Sequence, residues 1–215
     1  MAITPEIEQW LKDAGYEYHC FISYPRVRNN YLVECAKRVK DAIENDLALS
    51  INSPSVFLDD SIPGGTLWET KIKTALCRSV TMAALCAGIY YHPAHKWCGL
   101  EWAAMDDLCE SRLPGSEYRT IIPLIVRVES SIPEAVLKTQ WIDISSLTLQ
   151  GRRYYTTKEF RIRIREVVNH IERIAVAIAS KRARTDCQQF QFPSTSAFSN
   201  WQPVKQAAPF YRNDK

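Results

Sequence analysis

The apolar positions of this chain change period along its length. Ile7, Trp10 and Leu11 fall at helical spacing in a short amphipathic opening. Tyr18-His19-Cys20-Phe21-Ile22-Ser23-Tyr24 is instead a compact run of β-formers and is expected to be the first strand. Leu32, Ala36, Val39 and Ile43 then recur at intervals of four, three and four, the stripe of a helix packed on a sheet. Val56-Phe57-Leu58 is the next apolar run, stopped by Asp59-Asp60 and a Pro63-Gly64-Gly65 loop. Trp68, Ile72 and Leu76 predict a second helix, and Val80 to Ala87 an uninterrupted apolar strand of the kind buried on both faces of a parallel sheet. Trp97 to Glu110 reads as helix, Thr120 to Val126 as strand, and Gln140 to Asp143 as a short final strand. Phe160, Ile164, Val167, Ile171, Ile174 and Ile178 trace one face of a long last helix. Phe160 to Arg165 alone alternates like a strand, and the length of the segment decides for helix.

Strands alternating with helices at these spacings imply an α/β fold: an open, mostly parallel sheet with helices on both faces. Ligand crevices in such sheets lie beyond the carboxyl ends of the strands. The loops after Tyr24, Asp60 and Ala87 are therefore expected to meet at one site.

A chain of 215 residues can bury one sizeable core, with extensions. The expected division is an N-terminal extension over 1–16, a domain over 17–180, and a tail over 181–215. The formal charge of +3 is unevenly spread. The tail carries Lys181, Arg182, Arg184, Lys205, Arg212 and Lys215 against Asp186 and Asp214, which leaves the body near neutral. Gln, Ser, Pro and Asn dominate after Arg182 without apolar period, which predicts a flexible segment or one that folds on a partner. Its aromatics, Phe190, Phe192, Phe198, Trp201, Phe210 and Tyr211, suit a protein partner better than nucleic acid. The Arg161, Arg163, Arg165 run raises nucleic-acid binding as a separate idea, and it is disfavoured. No stretch approaches the roughly 18 apolar residues that cross a bilayer, and the start lacks the features of a signal peptide, so a cytoplasmic protein without membrane contact is expected. The seven cysteines form no CxxC pair and mostly lie in apolar segments, so reduced, buried thiols are expected.

The segment after the first strand excludes several chemistries. Tyr24-Pro25-Arg26-Val27-Arg28-Asn29-Asn30 contains no glycine, so the dinucleotide-binding fingerprint is absent, as is a phosphate-binding P-loop. Neither Ser23 nor any cysteine sits in a nucleophile elbow. His92, His95 and Cys98 could be offered as metal ligands, but no fourth ligand is evident and their spacing matches no common zinc motif, so no metal is expected. The strongest constellation is Trp97-Cys98-Gly99-Leu100-Glu101-Trp102, where Glu101 shares a helical face with Trp97 and points toward the crevice. A carboxylate near a helix N-terminus has a plain alternative reading, a favourable interaction with the helix dipole.

His19 to Tyr24, Val56 to Gly65, Leu67 to Ser79, Val80 to Ala87 and Trp97-Cys98-x-x-Glu101 occur in the order and spacing of the Toll/interleukin-1 receptor (TIR) domain, which this chain resembles over roughly residues 17–178. The resemblance implies the flavodoxin-like five-stranded TIR fold. It also implies one of two functions. Some TIR domains cleave the nicotinamide–ribose bond of NAD+, as hydrolases or ADP-ribosyl cyclases in bacterial antiphage signalling; others are non-catalytic adaptors or mimics of host signalling. In the enzymes the WCxxE glutamate is catalytic, a role that falls on Glu101, with NAD+ as substrate and no further cofactor. The resemblance places Tyr24, Arg26, Asp60, Ile62 and Trp97 near the substrate, and Ser61, Pro63, Gly64 and Gly65 in the BB loop that covers it. Arg26 has two readings, a pyrophosphate partner or a solvated loop arginine, and Trp97 likewise two, a wall of the ribosyl site or a core residue. Self-association through TIR–TIR contacts and a separate effector or sensor protein are the implied partners. The serine-rich loop usual before WCxxE is here Tyr90-Tyr91-His92-Pro93-Ala94-His95, a departure from the family pattern.

Overall fold

The computed structural model describes residues 3–26, 30–59, 67–92, 95–127, 131–149, 153–194 and 203–205. Elements follow in the order α1 (Pro5–Asp13), β1 (Tyr18–Ser23), α2 (Asn30–Leu47), β2 (Val56–Phe57), α3 (Trp68–Cys77), β3 (Ser79–Cys86), α4 (Lys96–Arg112) and β4 (Ile121–Ile125). The chain continues through β5 (Ser131–Pro133), α5 (Glu134–Leu137), β6 (Ile142–Asp143), α6 (Ser145–Thr148), α7 (Lys158–Lys181) and β7 (Pro203–Lys205). Five strands form one parallel sheet in the order β2-β1-β3-β4-β6, the flavodoxin-like arrangement expected.

Side-chain alternation along the central strands divides the core in two. Cys20 and Ile22 of β1, with Ala83 and Leu85 of β3, join a cluster built with α1, α2 and α7. Phe21 of β1, with Met82, Ala84 and Cys86 of β3, joins a second cluster built with α3 and α4. Both faces of the sheet are thus covered, which is why β3 is buried at every position and largely apolar.

Local signals explain the helix ends. Thr4 caps α1 by accepting from the Ile7 amide, with Pro5 at the first helical position, and Thr157 caps α7 by accepting from Phe160. The ambiguous start of α7 is settled by burial. Phe160 and Ile164 are 1% and 3% exposed while Ile162 is 48% exposed, whereas a strand would have put all three on one face. Burying each large apolar residue along this helix contributes about 1.5–3 kcal/mol, far more than the local alternation could oppose.

Two expectations are corrected here. The chain from 183 to 194 is not loose: it runs back over the domain as a strap. Arg182 takes a left-handed conformation (φ 55°) that ends α7 and turns the chain. The Tyr16 hydroxyl then donates to the Ala183 carbonyl (2.9 Å), the Thr185 amide to the Ala14 carbonyl (3.2 Å), and Lys73 Nζ to Gln191 Oε1 (2.7 Å). Gly15, at φ 94°, leaves the space into which Thr185 fits, since a Cβ there would lie 2.6 Å from Thr185 Oγ1. Farther on, β7 pairs antiparallel with β5. Nor are all the cysteines free: Cys77 at the end of α3 and Cys187 of the strap form a disulfide, while Cys20, Cys35, Cys86, Cys98 and Cys109 are free and buried. The pair is separated by 110 residues, and no local spacing in the sequence marks it. The opening helix is part of the domain core, with Ile3, Leu11, Ala14 and Tyr16 all in the first cluster. No described helix is long and apolar enough to cross a membrane.

Arg112 ends α4 inside the protein, 3% exposed, and its guanidinium donates to the Ser79 carbonyl (2.8 Å) and to the Cys77 carbonyl. It also lies over the Tyr16 ring, 5.0 Å from the centroid. One buried cation therefore ties the α3–β3 junction to α4 and, through Tyr16, to the strap. Arg112→Met keeps the apolar stem but leaves these two carbonyls without their donor. The expected loss is about 2–4 kcal/mol, read as a lower urea midpoint with an unchanged slope.

Candidate functional site

The order of the sheet reverses between β1 and β3, and in open α/β sheets the crevice lies at that reversal, beyond the carboxyl ends of the strands. Ser23 ends β1 there. Being two residues after Phe21, it points to the face that α4 covers. Its Oγ donates to Glu101 Oε2 at 2.5 Å and lies 2.8 Å from the Tyr90 hydroxyl. Tyr90 belongs to the turn after β3 and also reaches the Cys98 carbonyl of α4 (3.4 Å). Three elements thus converge on one carboxyl group. Ser23, Tyr90 and Glu101 are 1%, 0% and 7% exposed.

Glu101 is the sixth residue of α4, beyond the first turn where the helix dipole acts most strongly. The dipole reading is therefore weak. Burial pushes the Glu101 carboxyl up to about 8; against it, the Ser23 hydroxyl pulls down, the Asp59 charge pushes further up, and Arg26 pulls down. Among the described residues no cation forms a direct ion pair with Glu101. The Tyr90 phenol is held well above its ordinary range, first by burial and then by the nearby Cys98, Cys86 and Glu101, so it stays a neutral hydroxyl.

The remaining site residues expected from the sequence are distributed more widely. Arg26 lies near enough to influence Glu101, but its guanidinium is held by Asp59, through Oδ2 and the backbone carbonyl, both at 2.7 Å. It remains largely exposed, with 60% of its side chain accessible. Tyr24 does not face Glu101. One residue after Ser23, it turns to the opposite side of the sheet and packs in the first cluster, where its hydroxyl interacts with Arg26. Trp97 is half-buried one turn before Glu101, its ring edge-on to Trp68 (centroids 4.7 Å) and to Phe192 of the strap (5.8 Å). Asp60, Ser61, Ile62, Pro63, Gly64 and Gly65 lie outside the described residues. Of the metal-ligand candidates, Cys98 is buried in the second cluster and His92 is exposed. The arginine run on α7 is engaged locally: Arg161 with the Thr156 carbonyl, Arg163 with Glu166, and Arg165 with Asp46.

Ser23, Tyr90 and Asp59 are contributors that residue type and spacing did not single out. Strand parity could have pointed to Ser23, a polar residue on a face otherwise built from Phe21 and its neighbours. Tyr90 had no such signal, since a tyrosine in a loop is ordinary until the fold buries it.

No curated protein matches the chain. A family model described as "TIR domain" matches residues 20–154, more than half of the chain, a stretch that includes Ser23, Asp59, Tyr90 and Glu101. With the parallel five-stranded sheet in flavodoxin-like order and the WCxxE helix docked on the end of β1, the chain belongs to the TIR domain family.

Proposed function

We propose that this TIR domain cleaves the N-glycosidic bond between nicotinamide and ribose in NAD+, with Glu101 as the catalytic residue. The observation that carries this reading is the environment of Glu101: a buried carboxyl group without a direct ion-pair partner among the described residues, held by a serine at the strand end where ligands bind in this architecture. A structural carboxylate would gain more from an ion pair or from water. Burying it alone is costly, and such groups concentrate where chemistry uses them.

The reaction asks for an anion and little else. As the bond from ribose C1 to the pyridinium nitrogen breaks, the electron pair leaves with nicotinamide, which departs neutral and needs no general acid. Positive charge develops over C1 and the ring oxygen. The Glu101 carboxylate stabilises that charge in a site from which water is largely excluded, where electrostatic interactions are strong. Water or another hydroxyl or amine nucleophile then bonds to C1 and loses a proton, and its identity decides between hydrolysis, cyclisation and base exchange. Ser23 holds the carboxylate in place and favours its ionised form. Arg26 is largely exposed and anchored by Asp59, and in this reading it would meet the pyrophosphate at the rim of the site. The BB loop, Ser61 to Gly65, would cover the substrate, and self-association of TIR domains would complete the pocket, so activity should rise more than linearly with protein concentration.

Glu101→Gln is expected to reduce nicotinamide release by at least about 100-fold, followed by chromatography of NAD+ reactions over a range of protein concentrations. Silence of the wild-type protein in its assembled state would instead support a non-catalytic adaptor. The same substitution has an opposite effect on stability. Between the unfolded value of 4.5 and about 8 the folded chain holds a proton on Glu101 that the unfolded chain gives up, so stability falls as pH rises through that window. Glu101→Gln is therefore expected to be more stable than wild type at pH 8, by on the order of 3 kcal/mol, and close to it at pH 4, as measured by urea unfolding at both values. Because the ionised form is the active one, kcat/KM should rise with pH through a midpoint near about 8. Ser23→Ala removes a hydrogen bond to the charged form and should move that midpoint up by about one pH unit.

A further inference from the structure

The strap passes along α3 from its end to its start. Cys187 is bonded to Cys77, the last residue of α3; Gln191 accepts from Lys73; and Phe192 reaches Trp97, whose other neighbour is Trp68, the first residue of α3. A helix from Trp68 to Cys77 is about 14 Å long, and the five steps from Cys187 to Phe192 span at most about 17 Å. The chain turns at 187–189 and brings Phe192 to Trp97 within five residues of the disulfide, so the position of Cys187 limits where Phe192 can lie. The contacts it makes are otherwise slight. Residues 183 to 194 are all exposed or half-exposed; Ala183 packs against the first core cluster and Phe190 and Phe192 against the second, each as a partly buried member.

We propose that residues 183–194 form a redox-released strap on the candidate site, in which the Cys77–Cys187 bond holds Phe192 against Trp97 and reduction by a dithiol frees both rings. Trp97 stands one turn before Glu101 on the same helix, so the strap acts on the rim of the site rather than on the carboxylate itself. The short covalent tether keeps Phe192 at a high effective concentration beside Trp97, and without it the tip is held only by the partly buried phenylalanines and the exposed Lys73–Gln191 hydrogen bond. Reduction balances as ordinary thiol–disulfide exchange. A thiolate of the dithiol attacks Cys187 Sγ, which is half-exposed whereas Cys77 is 1% exposed; the S–S bond breaks and Cys77 leaves as thiolate and takes a proton. The second thiol of the reductant then displaces Cys187 from the mixed disulfide. The reductant ends as its own disulfide and the protein with two thiols. The buried Arg112 guanidinium, bonded to the Cys77 carbonyl, places a positive charge at the residue that must leave as an anion.

As regulation of NAD+ cleavage this rests on the reading of Glu101 given above; as a movement of the strap it does not. The test compares the oxidised full chain, the same protein in dithiothreitol, Cys187→Ser and Phe192→Ala, with two measurements on each. Acrylamide quenching of tryptophan fluorescence, in wild type and in Trp97→Phe, reports the exposure of Trp97. Nicotinamide release reports the site. Reduction and Cys187→Ser are expected to raise the Trp97-dependent part of the quenching about 2-fold or more and nicotinamide release by about 3-fold or more. Phe192→Ala should do the same without any reductant, which separates loss of the ring contact from a change at the thiols. Unchanged quenching on reduction would overturn the strap. Increased quenching with an active but unaltered NAD+ cleavage rate would overturn its control of the site. Increased quenching with no cleavage in any form would uphold the release of the strap and remove the enzymatic reading instead.

Discussion

The pairing of β1 with β3, two adjacent strands buried on both faces, constrains where every other element can lie. Each strand sends alternate residues to opposite helical layers, so α2 and α7 must cover one side and α3 and α4 the other. The sheet order reverses at this pair, and the open end of the reversal is where Ser23, Tyr90 and Glu101 meet. The same alternation that packs Phe21 against α3 and α4 aims Ser23 at α4 and sends Tyr24 the other way. Core packing and site geometry are therefore one constraint, and a shift of β1 by a single residue would exchange Ser23 for a buried apolar side chain at Glu101.

The cost of this arrangement falls on Glu101. A carboxyl group enclosed by a serine, a tyrosine and the sheet has lost its water without gaining a direct ion-pair partner among the described residues, and burial raises its pKa. A positively charged substrate that restored the missing partner would favour ionisation as it bound.

A second organising group sits at the other end of the same strands. Arg112 satisfies the carbonyls where α3 passes into β3, carries Tyr16 on its face, and through Tyr16 and Cys77 meets the strap at two points. The strap therefore has a firm base near Arg112 and a light tip at Trp97. Residues 183–194 lie beyond the part of the chain that matches the family model, and they add an aromatic ring to the edge of a site that the matched residues build.

Periodicity alone was enough for the α/β class, the order of the five sheet strands and the long helices, and the apolar face of each long helix, because a strand or helix must bury one set of positions and those positions are local in sequence; β5, α5, α6 and β7 were too short to carry such a pattern. The WCxxE motif marked Glu101 for a related reason, since its residues share one helix. What the sequence left open depended on contacts between distant segments. Whether Tyr24 or Ser23 faces the carboxylate turns on strand parity relative to α4, the burial of Tyr90 on how the turn after β3 folds under that helix, and the Cys77–Cys187 pair on a strap whose composition reads as disordered. Gln, Ser and Pro in residues 188–194 carry too little apolar surface to predict a docked segment, and only tertiary structure supplies what holds it: a disulfide, a carbonyl offered to Tyr16, and a ring placed against Trp97.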